Sequence, residues 1–121
     1  MEHLKFKNFE WPVDPAVYRE KRLREPEFIR DTDGNVLYSG LSDQKVTITA
    51  EGEFYGADAF RNYKALEALM EDVNYGALIH PLLGTRYGYM TGLEMIQEAE
   101  AELVAYRFTF TGMIEGGSIP G

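Results

Sequence analysis

The clearest pattern in the chain is the alternation through "KVTITAEGEF", where Val46, Ile48, Ala50 and Phe54 point one way and Lys45, Thr47, Thr49, Glu51 and Glu53 the other. Period two predicts a strand with one buried face. The period then changes. In "GADAFRNYKALEALMEDV" the apolar positions Phe60, Tyr63, Leu66, Leu69, Met70 and Val73 fall three or four apart, while Arg61, Lys64, Glu67 and Glu71 face water. That spacing predicts one amphipathic helix over about residues 57–73, some four to five turns long. Gly56 is its expected N-cap, and Asp58 in the first turn suits the positive end of the helix dipole. "NYG" ends it. Alternation returns over residues 87–97 and 103–114, where Val104, Tyr106, Phe108 and Phe110 share a face. The acidic link "EAEAE" predicts an antiparallel pair.

Upstream, "LKFKNFEW" reads as one strand whose apolar phase slips. Leu4 and Phe6 share one face, Phe9 and Trp11 the other, and a bulge near Asn8 accounts for the slip. "PVDP" breaks the strand. Residues 17–31 are rich in charge and only patchily alternating, which predicts an edge strand or an arm leaving the body, and Pro26 fits that position. "DTDGN" is the turn of a hairpin, with Asp33-Gly34 at its centre, and "VLYSG" is the short return. The glycine-bracketed stretch "GALIHPLLG" reads as a turn from helix to final hairpin. Gly76, His80, Pro81 and Gly84 are its structural residues, with Pro81 keeping His80 extended. The expected fold is therefore α+β: an antiparallel β-sandwich or barrel with one amphipathic helix packed on it. It fills a single domain over residues 1–115, with 116–121 as a flexible C-terminal tail.

Composition narrows the function classes. Apolar residues make up 45% of the 121 and aromatics 13%, enough for a packed core. A formal charge of -8 sets the chain against direct binding to nucleic acid or anionic membrane. With no cysteine, disulfides, thiolate metal sites and thiol nucleophiles are excluded together. The opening "MEHLKFKNFEWPVD" has no apolar h-region, and no apolar run reaches the ~18 residues of a membrane span, which predicts a soluble chain without an export signal.

Candidate chemistry is sparse. His80 has no HExxH or HxH partner, and the one other histidine, His3, lies near the terminus, so a histidine hydrogen-bonded at a strand end is the expectation. Asp31, Asp33 and Asn35 imitate the first positions of a calcium loop, but the glycine comes at the fourth position instead of the sixth and Ser42 stands where the last glutamate belongs. "GTRYGYMTG" lacks the lysine and the strand-loop-helix setting of a phosphate loop. There is no GxSxG, and Glu51 with Glu53 reads as a solvated strand face. No catalytic residue, metal or cofactor is expected. Charge placement is more informative. Arg19, Lys21, Arg22, Arg24 and Arg30 make the second segment basic, and Glu94, Glu98, Glu100 and Glu102 make the last hairpin acidic. Two ordinary solvated surfaces would explain this. So would a heterologous subunit contact that closes into a ring, with Arg19, Arg22 and Arg24 meeting Glu98, Glu100 and Glu102 of the next copy.

The succession from Glu51 to Glu115 resembles the N-terminal domain of the phage DNA circularisation proteins and related tail and baseplate proteins. Gly52, Phe54, Gly56 and Asp58 match the family's strand into "GxLxGxD". Gly76, Leu78, His80, Pro81 and Gly84 match its "GxLxHPxxG" turn, and Phe108 and Phe110 match its closing "FxFxE", with the acidic residue, Glu115, coming later than in the family instead of directly after. The resemblance implies a tail-tube-like fold and a structural subunit of a phage or phage-derived tail or baseplate. It implies a ring around the tail axis, with other tail proteins as partners, formed in the bacterial cytoplasm and then carried in the virion tail or a tail-like particle. The competing expectation is a small monomeric module binding a glycan or protein, with Trp11, Tyr55, Tyr87 and Tyr89 as exposed stacking groups.

Overall fold

The computed structural model describes residues 2–97 and 102–114. The expected tail over 116–121, together with Glu98, Glu100 and Glu115, lies outside them. The described residues form β1 (Lys5–Phe6), β2 (Phe9–Glu10), β3 (Val17–Leu23), β4 (Pro26–Arg30), β5 (Val36–Leu41) and β6 (Gln44–Tyr55). Helix α1 (Ala59–Glu71), β7 (Gly76–His80), β8 (Gly84–Gln97) and β9 (Leu103–Ile114) complete the order. Seven strands make one antiparallel sheet in the order β2-β1-β7-β8-β9-β6-β3, while β4 and β5 pair only with each other. The architecture is α+β, as the change of period from two to 3.6 implies.

The alternation in β6 and β9 builds the core directly. Val46, Ile48, Ala50 and Phe54 are buried on the same side as Val104, Tyr106, Phe108 and Phe110, because the register sets Ile48 against Phe110 and Ala50 against Phe108. Tyr63, Leu66 and Leu69 bring α1 onto that layer. The aromatic rings interlock, with Phe54 stacked on Tyr106 at 4.6 Å between centroids and Phe6 edge-on to Phe110 at 5.6 Å.

Several expectations need correction. Residues 4–11 are not one bulged strand but two short strands paired Lys5↔Glu10 and Phe6↔Phe9. The chain reverses at Lys7, whose φ is 56°, so Trp11 returns to the core side and is 0% exposed against Phe108. The apparent slip of phase is this reversal. The Lys7 ammonium reaches the Asp72 carboxylate at 2.9 Å and donates to the Asn74 carbonyl at 2.6 Å, which fastens the hairpin to the exit from α1.

The helix is shorter than its apolar spacing suggests. Gly56 is not its N-cap: at φ +86° it forms the turn before the helix, its carbonyl accepting the Ala59 N–H, and Asp58 occupies the cap position without a side-chain cap bond. At the other end Asp72 is already extended, which leaves Met70 at the margin and Val73 85% exposed. "GALIHPLLG" is a turn only in its second half. Gly76–His80 is a strand that pairs with both β1 and β8, and the reversal is confined to residues 81–83. Residues 17–31 turn out to be edge strand and arm in succession, β3 followed by the β4–β5 hairpin.

Candidate functional site

The sheet curls until its β3 edge meets the β7–β8 hairpin, and two side-chain contacts hold it there. The Tyr18 ring lies 4.7 Å from the His80 ring. Beside it, Arg86 grips Glu20 with two donors, Nε to Oε1 at 2.6 Å and Nη2 to Oε2 at 3.4 Å. Only 11% and 13% of the two side chains is exposed, so the pair is screened far less than a surface bridge. Burial works to raise the Glu20 carboxyl pKa, but hydrogen bonds and charge from Arg86, supplemented by Arg22, outweigh it and hold it below the usual glutamate value. The Tyr18 hydroxyl is pushed up to about 12, by burial first and then by the Glu20 charge, with Arg86 acting in the opposite direction. His80 itself ends its strand as expected: its Nδ1 accepts the backbone N–H groups of Leu82 and Leu83 at 3.0 and 3.1 Å and closes the turn.

The convex side of the same sheet is open. Its register lays out successive rows across β7, β8, β9, β6 and β3. The row nearest the arm reads Ala77, Tyr87, Met113, Lys45 and Leu23. Next come Tyr89, Thr111, Thr47 and Lys21, then Gly92, Thr109, Thr49 and Arg19. A charged row follows, where Arg107 bridges Glu94 at 3.3 Å and Glu51 at 3.4 Å. Apart from Lys45 the first row is apolar and bare, with Tyr87, Met113 and Leu23 each about half exposed or more. Behind it, Gly88 and Gly112 face each other in the ladder, where a Cβ on either would stand 2.2 Å from a carbonyl oxygen of the opposite strand. These glycines permit the close approach of β8 and β9.

The β4–β5 arm follows β3 in the chain and pairs with no strand of this sheet. Its base is pinned by Ser42, whose N–H donates to the Glu25 carbonyl and whose Oγ accepts the Glu25 N–H. Its tip is an Asx-type turn in which Asp31 Oδ1 accepts the N–H groups of Asp33 and Asn35, with Gly34 at φ +87°. Every residue of both strands is exposed, including Phe28 paired with Tyr38 and Ile29 paired with Leu37.

The sequence-predicted contact residues do not share one surface. Arg19 lies on the convex side next to Thr49, whereas Arg22 alternates to the other side and bonds Glu20 at 3.3 Å. Arg24 sits between β3 and β4, and of the acidic set only Glu102 lies within the described residues, exposed at the turn before β9. His80, Pro81 and Gly84 come together around the β7–β8 reversal, whereas Gly76 stands at the other end of β7, opposite Gly88 and beside Lys7. Among the proposed stacking residues Trp11 is buried, while Tyr55, Tyr87 and Tyr89 are exposed. No group of three or more His, Cys, Asp or Glu among the described residues could hold a metal ion. No described helix is long and apolar enough to cross a membrane.

With the geometry in place, the comparisons are specific. The family model described as "DNA circularisation protein N-terminus" matches residues 6–87, more than half of the chain. The chain belongs to that family. The matched span runs from β1 into β8, so it contains Gly52, Phe54, Gly56 and Asp58, and the Gly76 to Gly84 segment closed by His80. Phe108 and Phe110 of β9 fall beyond the part that identifies the DNA circularisation N-terminal family. Among solved structures, a chain of the virion of a native gene transfer agent particle shares the fold, with a TM-score of 0.55 at 18% identity over 90% of this chain and 89% of that one. A chain from the tail of an empty gene transfer agent particle gives a TM-score of 0.49 at 15% identity, over 84% and 81% of the two chains. No curated protein matches by sequence.

Proposed function

We propose that this member of the DNA circularisation N-terminal family is a structural subunit of a phage or phage-derived tail, and that it assembles with copies of itself into a ring around the tail axis. The observation that carries the reading is the agreement of fold, over nine-tenths of the chain, with a chain of a virion particle. Its role is architectural and non-catalytic, and other tail or baseplate proteins are its further partners. A charge of -8 disfavours a direct grip on DNA and suits a subunit past which DNA slides. Assembly takes place in the bacterial cytoplasm before the subunit enters the particle.

The test is light scattering coupled to size exclusion over a wide concentration range, with negative-stain microscopy of the high-mass fraction. Rings or short stacks are expected. A strict monomer that instead binds an immobilised glycan would overturn the proposal in favour of a binding module.

A further inference from the structure

We propose that the β4–β5 arm of one copy seats on the convex apolar row of another, on Tyr87, Met113 and Leu23. This rests on the self-association proposed above and specifies its contact. A two-stranded hairpin alone in water is at best marginally stable. Here the Glu25 and Ser42 bonds join only the arm's own two strands at its base, and Phe28 and Tyr38 are bare on one face and Ile29 and Leu37 bare on the other. The same chain carries a second unpartnered apolar surface in the row nearest the arm's base. Charge matches as well: the arm's tip carries Asp31 and Asp33 against one cation, Arg30, whereas Lys45 and Lys21, in and beside the row, make no ion pair among the described residues.

Arm and row are different patches of one chain: exchanged reciprocally between two copies they would close a two-fold dimer, and passed on from copy to copy they build a larger assembly. An arm bare on both faces is covered on both only between two bodies. The contact therefore builds assemblies of three or more copies and does not close as a pair.

The absence of cysteine makes a direct test possible. Full-length Leu37→Cys protein is mixed with affinity-tagged Tyr87→Cys protein and oxidised, with tagged Lys64→Cys, on the water face of α1, as the reference. A mixed disulfide dimer should form about tenfold faster with Tyr87→Cys than with Lys64→Cys, because the contact raises the effective concentration of the two thiols. Ile29→Asp in the first partner, on the same face of the arm as Leu37, should remove that advantage with the circular-dichroism melt unchanged. Equal rates for the two partners would overturn the arm contact. Rings that persist in Ile29→Asp protein would also overturn it while leaving the ring reading intact, and a monomer at every concentration with no mixed disulfide would overturn both.

Discussion

Replacing Arg86 by methionine removes the guanidinium that ties the β3 edge to β8 and keeps most of the side-chain stem. Removing one partner of an exposed pair costs about 0–1 kcal/mol, and removing one partner of a fully buried pair about 3–5. The Glu20 and Arg86 side chains, at 13% and 11% exposure, lie nearer the buried limit, but Arg22 at 3.3 Å remains to face the stranded carboxylate. The expected loss is about 2 kcal/mol at pH 7, a fall in Tm of roughly 6–12 °C for a chain of this size. Urea unfolding of the parent, Arg86→Met, Glu20→Gln and the double variant gives both the loss and the coupling. The folded pKa of Glu20 is depressed, so the pair's contribution is fully present above the unfolded carboxyl value and is lost as pH falls through the folded one. The gap between parent and Arg86→Met should therefore begin to narrow as pH falls below the ordinary glutamate value, about 4.3, and go on narrowing with further acid. A gap under about 0.5 kcal/mol at pH 7 would refute the reasoning, since that is the value of an exposed pair. A gap unchanged by acid would refute it equally.

Two other substitutions probe the backbone of the same region. Gly88→Ala places a Cβ 2.2 Å from the Thr111 carbonyl oxygen, a backbone atom with no rotamer to yield, and should cost more than about 3 kcal/mol or prevent folding, read as loss of the cooperative urea transition. His80→Ala leaves the Leu82 and Leu83 N–H groups without their acceptor at an exposed turn and should cost about 1 kcal/mol, with the aromatic near-ultraviolet signal reporting the lost contact with Tyr18.

What the sequence conveys is set by the range of the interactions involved. β6, β9 and the core side of α1 are legible because each writes its burial into its own period: Val46, Ile48 and Ala50 in one strand, Tyr63, Leu66 and Leu69 in the helix. β1 and β2 are not, because strands of two residues are too short to show a period, and a reversal at Lys7 resembles a bulge. β7 is hidden because Gly76, Pro81 and Gly84 carry turn chemistry at both of its ends, although only residues 81–83 turn. The basic cluster is legible as composition but misleading as a surface, since the alternation of a strand sends Arg19 and Arg22 to opposite sides. The convex row was beyond reach for a different reason. Leu23, Lys45, Tyr87 and Met113 become neighbours only through three separate cross-strand registers, and none of these is a property of a local stretch.

The long central ladder has a mechanical consequence. β9 is flanked on one side by β6, in unbroken register from Gln44↔Ile114 to Tyr55↔Leu103, and on the other by β8. Tension applied along β9 must load the cross-strand bonds on both sides together, in shear. A pull that peeled an edge would break them one after another. The two directions of force should meet very different resistance, so this sheet is strongest along β9, the interior strand by which Phe108 and Phe110 anchor the core.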